Sequence, residues 1–136
     1  MITGRRKTTS IKILIVDDEE LILEEASEVL TDEGYECFTA SNVDAAVETI
    51  KTTPGITVVI TDLKMPRKSG ADLINIIEKT CEQDIKFIVM SGHGSRIVEK
   101  DGIDLTFYPF LKKPLNVDQI IGMVASVIKT KELASP

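Results

Sequence analysis

The sequence predicts an α/β fold, a single doubly wound (βα)5 domain with a five-stranded parallel sheet covered by helices. Three observations predict it. Short runs rich in Ile, Val and Phe recur along the chain with few polar interruptions, as strands buried on both faces require. Each of the first four is followed by a segment expected to be helical, three of them with apolar residues three and four apart, the spacing of a helix with one buried face. The 136 residues, 43% of them hydrophobic, suffice for one domain with a real core. Strands alternating with helices in this way fold as right-handed βαβ units. The domain is expected over residues 11–129, with a flexible N-terminal tail at 1–10 and a C-terminal tail at 130–136.

The first strand is Ile11-Lys12-Ile13-Leu14-Ile15-Val16, a β-branched run that stops at acidic residues. Leu21, Leu23, Ala26, Val29 and Leu30 then mark a helix that Gly34 closes as a C-cap. A second strand spans 36–40. Ser41 can cap the next helix, which carries Val43, Ala46, Val47 and Ile50 and ends before Pro54-Gly55. Residues 56–61 form the third strand, and 65–70 are turn material. Leu73, Ile74, Ile76 and Ile77 give the third helix, and 87–90 the fourth strand. The fifth strand is expected over 106–111 despite Pro109. Pro114 stops it, and Asn116 or Asp118 opens a last helix through Ile120, Ile121, Val124, Val127 and Ile128.

Composition narrows the function. A formal charge of −6, from 22 acidic and 16 basic residues, argues against a nucleic-acid surface, which needs clustered Lys and Arg. The one basic cluster, Arg5-Arg6-Lys7, reads as a solvated leader. No apolar run approaches the roughly 18 residues of a membrane span, and residues 1–10 lack the apolar core of a secretory signal. The chain reads as soluble and cytoplasmic. Cys37 and Cys81 have no metal or redox spacing and read as reduced, partly buried thiols. His93 stands alone between two glycines, with no second His for a zinc site.

In doubly wound folds the working site lies beyond the carboxyl ends of the strands. Here those ends are polar. Strand one ends in Asp17-Asp18, strand three in Asp62 and strand four in Ser91, and strand five leads into Lys113-Pro114. Three gathered carboxylates repel one another unless positive charge intervenes. A hard divalent cation such as Mg²⁺ meets that need, with Lys113 as a second, mobile charge. A carboxylate nucleophile, a metal and a lysine together point to phosphoryl transfer.

Over residues 11–128 the chain resembles the receiver family of response regulators. The resemblance rests on Ile15-Val16-Asp17-Asp18-Glu19, on Thr61-Asp62-Leu63-Lys64-Met65-Pro66 with Gly70 following, on Met90-Ser91-Gly92, and on Phe110-Leu111-Lys112-Lys113-Pro114. Each motif lies at or beside the end of a predicted strand, in family order. The resemblance implies a flavodoxin-like receiver fold with Asp62 as phosphoacceptor. It implies Mg²⁺ held by Asp18, Asp62 and the Lys64 backbone carbonyl, with Asp17 acting largely through a metal-bound water. Lys113 would pair with the acceptor and then with a phosphoryl oxygen, across a cis Lys113–Pro114 bond. Ser91 would hydrogen-bond the phosphoryl group while Phe110 swings inward behind it, changing a surface built from the fourth helix, fifth strand and fifth helix. The donor would be a phosphohistidine on a histidine kinase or phosphotransfer protein. Lys64 and His93, each two residues past Asp62 and Ser91, would set the phosphoryl lifetime.

The segment 95–107 departs from the commonest family pattern. Asp101-Gly102 falls where a regular fourth helix would run, and glycine costs a helix about 1 kcal/mol relative to alanine. A short or irregular fourth helix is expected, resembling receivers attached to hybrid sensor kinases. Only 130–136 follow the last helix, so output is expected to come from a partner protein, from another domain or from phosphate relay. Three other functions fit less well. A phosphorylation-independent docking module has no need of Asp18, Asp62, Ser91 and Lys113 together. An aspartyl-phosphate phosphatase usually carries Asp-x-Asp, whereas Asp62 is followed by Leu63-Lys64. An electron carrier of the same fold needs a phosphate-binding loop after strand one, and none follows. The chain is therefore expected to be a switch and not an enzyme.

Overall fold

The computed structural model describes residues 10–92 and 99–134. Its element order is β1 (Lys12–Val16), α1 (Glu20–Asp32), β2 (Glu36–Ala40), α2 (Val43–Thr52), β3 (Ile56–Asp62), α3 (Gly70–Thr80), β4 (Lys86–Ser91), β5 (Glu99–Lys100), β6 (Ile103–Asp104), β7 (Phe110–Lys112) and α4 (Val117–Ala134). Five strands form one parallel sheet in the order β2-β1-β3-β4-β7. The doubly wound prediction holds.

The near-continuous apolar runs now have a cause. Ile13 and Ile15 of β1, Val58 and Ile60 of β3, and Ile88 and Met90 of β4 pack in one core with Leu23, Ala26 and Leu30 of α1 and Ile120, Val124 and Val127 of α4. Their neighbours Leu14, Val16, Val59, Phe87 and Val89 face the other way, onto α2 and α3. Successive side chains alternate across a strand. A strand covered on both faces must therefore be apolar at every position.

Local chemistry sets the helix ends. Gly34, at φ 99°, follows the last turn of α1. Its N–H donates to Thr31 and that of Tyr35 to Leu30, a Schellman closure that a left-handed glycine permits. The cap of α2 is Asn42, not Ser41, because Asn42 Oδ1 accepts the Ala45 N–H at 2.8 Å. Asn116 caps α4, accepting the Gln119 N–H at 3.0 Å. That last helix runs to Ala134, into the stretch expected as a tail, since no Gly or Pro interrupts 130–134.

The largest departure lies between β4 and β7. The irregularity expected of the fourth helix takes the form of a hairpin, in which β5 pairs antiparallel with β6. Asp101 and Gly102 fill its turn with φ of 51° and 80°. Two successive left-handed residues make the type I′ turn that a tight hairpin prefers, and Asp-Gly is a favoured sequence for it. The fifth strand of the sheet begins at Phe110 rather than Thr106. Pro109 has no N–H for the ladder, although its carbonyl accepts the Val89 N–H at 2.9 Å. Ahead of it, Tyr108 N–H folds back to Leu105 as a turn. Among the described residues, no helix is long and apolar enough to cross a membrane.

Candidate functional site

The chain steps from β1 out to β2 and then back across to β3, so the sheet order reverses beside β1. Neighbouring connections leave in opposite directions at such a point and open a crevice at the strand ends. Asp17 follows β1, Asp62 ends β3, Ser91 ends β4, and Lys113 follows β7. All four meet there, and parallel pairing fixes the levels. Asp62 is in register with Met90, and Ser91 with Lys112. The main chain then locks Lys113 to β4, its N–H donating to the Ser91 carbonyl at 2.8 Å. The Lys113–Pro114 bond is cis, as expected.

Lys113 is the hub. Its Nζ lies 2.7 Å from Asp17 Oδ2, 3.3 Å from Asp62 Oδ1 and 3.6 Å from Glu19 Oε1. Asp17 is fully buried and Asp62 nearly so, while Asp18 is exposed. Burial, then the Asp17 charge, pushes the Asp62 carboxyl up to about 6 against the pull of Lys113. Burial also raises Asp17, although Lys113 and the Glu19 N–H, 2.9 Å from its Oδ1, both favour the charged form. Burial opposes the charge on Lys113, but contacts with Asp17 and Asp62 more than offset it and hold the ammonium above its ordinary range. One lysine does not neutralise this many carboxylates.

The residues fit a divalent cation. Asp17, Asp18 and Asp62 each offer an oxygen within 4.8 Å of the others. Asp17 Oδ2 is buried and faces the Lys113 ammonium at 2.7 Å. All the donors are oxygens, the set that hard cations such as Mg²⁺ select. Asp18, Glu19, Asp62, Lys64, Ser91, Gly92 and Lys113 line an open cleft of about 370 Å³ at this point.

Other expected positions are less central. Ser91 is buried at the end of β4, and half-buried Phe110 packs against the core that includes Phe87 and Val89. Lys64 is exposed on the cleft wall. His93 lies outside the described residues. Cys37 and Cys81 are free and half-buried, and burial raises the Cys37 thiol.

Two residues that the motifs contain had been given no role of their own. Glu19 reaches Lys113, and its place in the acidic run Asp17-Asp18-Glu19-Glu20 was the available signal. Gly70 supports the acceptor from behind, where a Cβ would stand 2.2 Å from the Asp62 carbonyl oxygen. Thr61 Oγ1 donates to that same oxygen at 2.9 Å. The Gly70 N–H donates to Leu63 at 3.1 Å. The turn after β3 thus lies directly on the acceptor's main chain.

Comparison with known proteins agrees with this geometry. The sequence profile of the response regulator receiver domain matches residues 13–125. Response regulator RR06 of Streptococcus pneumoniae is 32% identical over 117 residues, 86% of this chain and 52% of that protein. The chain thus spans about half of that relative. Chemotaxis protein CheY of Treponema pallidum is 30% identical over 122 residues, covering 87% of this chain and 83% of its own length. A response regulator receiver domain structure from Clostridium thermocellum superposes with a TM-score of 0.71 at 32% identity, covering 90% of this chain and 98% of that one. The family profile, the relatives and the crevice between β1 and β3 all lead to one assignment: this chain belongs to the receiver domain family of two-component response regulators.

Proposed function

We propose that the chain is a phosphoaccepting switch that takes a phosphoryl group onto Asp62 from a phosphohistidine of a partner histidine kinase or phosphotransfer protein. The observation that carries this reading is the Lys113 ammonium lying within 3.3 Å of a nearly buried Asp62 carboxylate beside two further acids. In the transfer, an Asp62 oxygen forms the new O–P bond as the donor's N–P bond breaks, and the imidazole leaves with the bonding pair. Asp18 and Asp62, with the Lys64 carbonyl, would hold Mg²⁺, and Asp17 would stand beside it. When bound, that ion supplies charge neutralisation for the acceptor and the incoming phosphoryl oxygens.

The chain's own groups do the rest. Lys113 holds the acceptor in the crevice and has a second partner in Asp17, so it can turn toward a phosphoryl oxygen without leaving a carboxylate bare. Ser91, buried at the mouth of β4, donates a hydrogen bond to the bound phosphoryl group, and Phe110 moves inward behind it. The altered surface, built from β7, α4 and the segment between β4 and β7, carries the signal to an output partner or an attached domain. The protein changes state and does not turn over a substrate. Lys64 and His93 control water at the acyl phosphate, so a Lys64→Ala, His93→Ala double variant is expected to lose the phosphoryl group at an altered rate. An unchanged rate removes them from that role.

The test of the main reading is labelling by acetyl phosphate with intact mass as the readout, on wild type and Asp62→Asn. One phosphoryl group gained in the presence of Mg²⁺, and lost in the variant or without the ion, is the expected result. No adduct under any condition, in a protein that binds Mg²⁺, overturns phosphotransfer and leaves a docking module.

A further inference from the structure

The hairpin between β4 and β7 is tied to the acceptor turn by a side-chain contact that the phosphotransfer chemistry does not require. Asp101, at its turn, accepts a hydrogen bond from Ser69 Oγ at 2.7 Å. Ser69 is buried and caps α3, accepting the Asp72 N–H at 3.1 Å while its own N–H donates to Asp72 Oδ2 at 2.8 Å. The next residue is Gly70, whose backbone lies on the Asp62 carbonyl. One hydrogen bond and one peptide unit therefore separate the hairpin from the acceptor's main chain.

The grip is two-ended. Tyr108, beyond the hairpin, donates from its hydroxyl to Glu78 in the last turn of α3 at 2.8 Å. Between the two contacts Leu105 is fully buried in the core that includes Leu73, Ile74 and Ile77 of α3. The segment 99–108 thus holds α3 at its cap, its middle and its far end. Asp101 makes this contact from the hairpin turn, at φ 51°, and its own neighbour Lys100 approaches the same oxygen at 3.9 Å.

We propose that Asp101 is a positioning residue, linking the hairpin through Ser69 to the Gly70–Asp62 contact, so that a change at the acceptor moves the hairpin and the hairpin sets the acceptor. Coupling of this kind acts equally in both directions. It rests on the reading of Asp62 as phosphoacceptor, but its anatomy can be probed without phosphate.

Amide chemical shifts of the full chain supply the first arm. Asp101→Ala is expected to move the Leu63 and Gly70 amides, and Asp101→Asn, which keeps an accepting oxygen, to restore them. The second arm adds acetyl phosphate with Mg²⁺, following the amides of 99–104 while intact mass records labelling. Wild type is expected to label and shift the hairpin; Asp101→Ala is expected to label with the hairpin response lost. Ser69→Ala should behave likewise, and Asp101→Ala leaves the helix cap intact should that variant fold poorly. Unmoved Leu63 and Gly70 amides in Asp101→Ala, or a hairpin response there equal to wild type, overturn the link. A wild type that labels without a hairpin response overturns it too. A wild type that never labels overturns the phosphoacceptor reading instead, and the link is then decided by the first arm.

Discussion

The acceptor end of the sheet and the segment 99–108 are held by different physics. Asp17, Asp62 and Ser91 are fixed by strands whose every residue is packed, with Ile13 to Val16 and Val58 to Ile60 fully buried. Across α3, the hairpin segment fully buries one residue, Leu105, packs half-buried Ile103 and Tyr108 against the same core, and otherwise depends on a turn of two left-handed residues and on hydrogen bonds to Ser69 and Glu78. The first region is over-determined and stores unfavourable electrostatics. The second is thinly packed and held by a few polar contacts, the low-stability kind of region from which moving elements are generally drawn. A switch needs both: a rigid frame in which charge is concentrated, and a loosely held element that the charge can displace.

The sharpest test of the rigid half is Gly70→Ala. A Cβ would stand 2.2 Å from the Asp62 carbonyl oxygen and 3.1 Å from Thr61 Oγ1. The first of these is backbone and cannot rotate away. Forcing a methyl group into such packing costs about 3 kcal/mol, read as a lower urea midpoint at unchanged slope. A loss below about 1 kcal/mol would make the acceptor frame as pliable as the hairpin, and the contrast would disappear.

Stored charge comes next. The Asp62 carboxyl, ordinarily near 3.8, is raised to about 6 in the fold, so the folded state binds its proton more tightly than the unfolded chain. Below about pH 4 both states are protonated and this group costs nothing. As pH rises from about 4 to about 6 the unfolded chain ionises first and stability falls, and above that range the cost is complete. At 1.36 kcal/mol per unit it reaches about 3 kcal/mol. Metal-free Asp62→Asn is therefore expected to be the more stable protein at pH 7.5 by about that amount. Its advantage should vanish near pH 4, and Mg²⁺ should close the gap by stabilising wild type. Thermal melts across pH with and without the ion measure it. A gap that grows toward low pH would reverse the sign and show that Lys113 outweighs burial.

The same contrast explains what could be read from the chain alone. The sheet was legible because burial on both faces leaves a mark at every position, from Ile13 to Val16 and from Val58 to Ile60. The acids were legible because they interrupt those runs abruptly. The hairpin was not, because Asp101-Gly102 carries two meanings. In a helix the glycine is a weak point, and in a tight turn the pair is ideal; only the flanking residues decide. Glu99-Lys100 and Ile103-Asp104 are too short to show strand alternation. Glu19 and Gly70 were obscured for another reason. The role of Glu19 depends on Lys113, brought in from a distant strand, and that of Gly70 on how tightly the turn after β3 folds back on Asp62, and spacing carries no record of either.

Gly102→Ala closes the comparison at its weak end. Gly102 has φ 80° and open space where a Cβ would stand, so the substitution meets no clash and tests backbone conformation alone. Holding alanine in the left-handed region costs about 1 kcal/mol. In a segment that opens by itself, that cost appears locally, because the rest of the fold does not unfold with it. Hydrogen exchange across 99–104 is expected to rise about fivefold, the factor for 1 kcal/mol, while the urea midpoint barely moves. If the midpoint instead falls as is expected for Gly70→Ala, the hairpin is one cooperative unit with the sheet. It could not then respond to the acceptor without the whole domain responding.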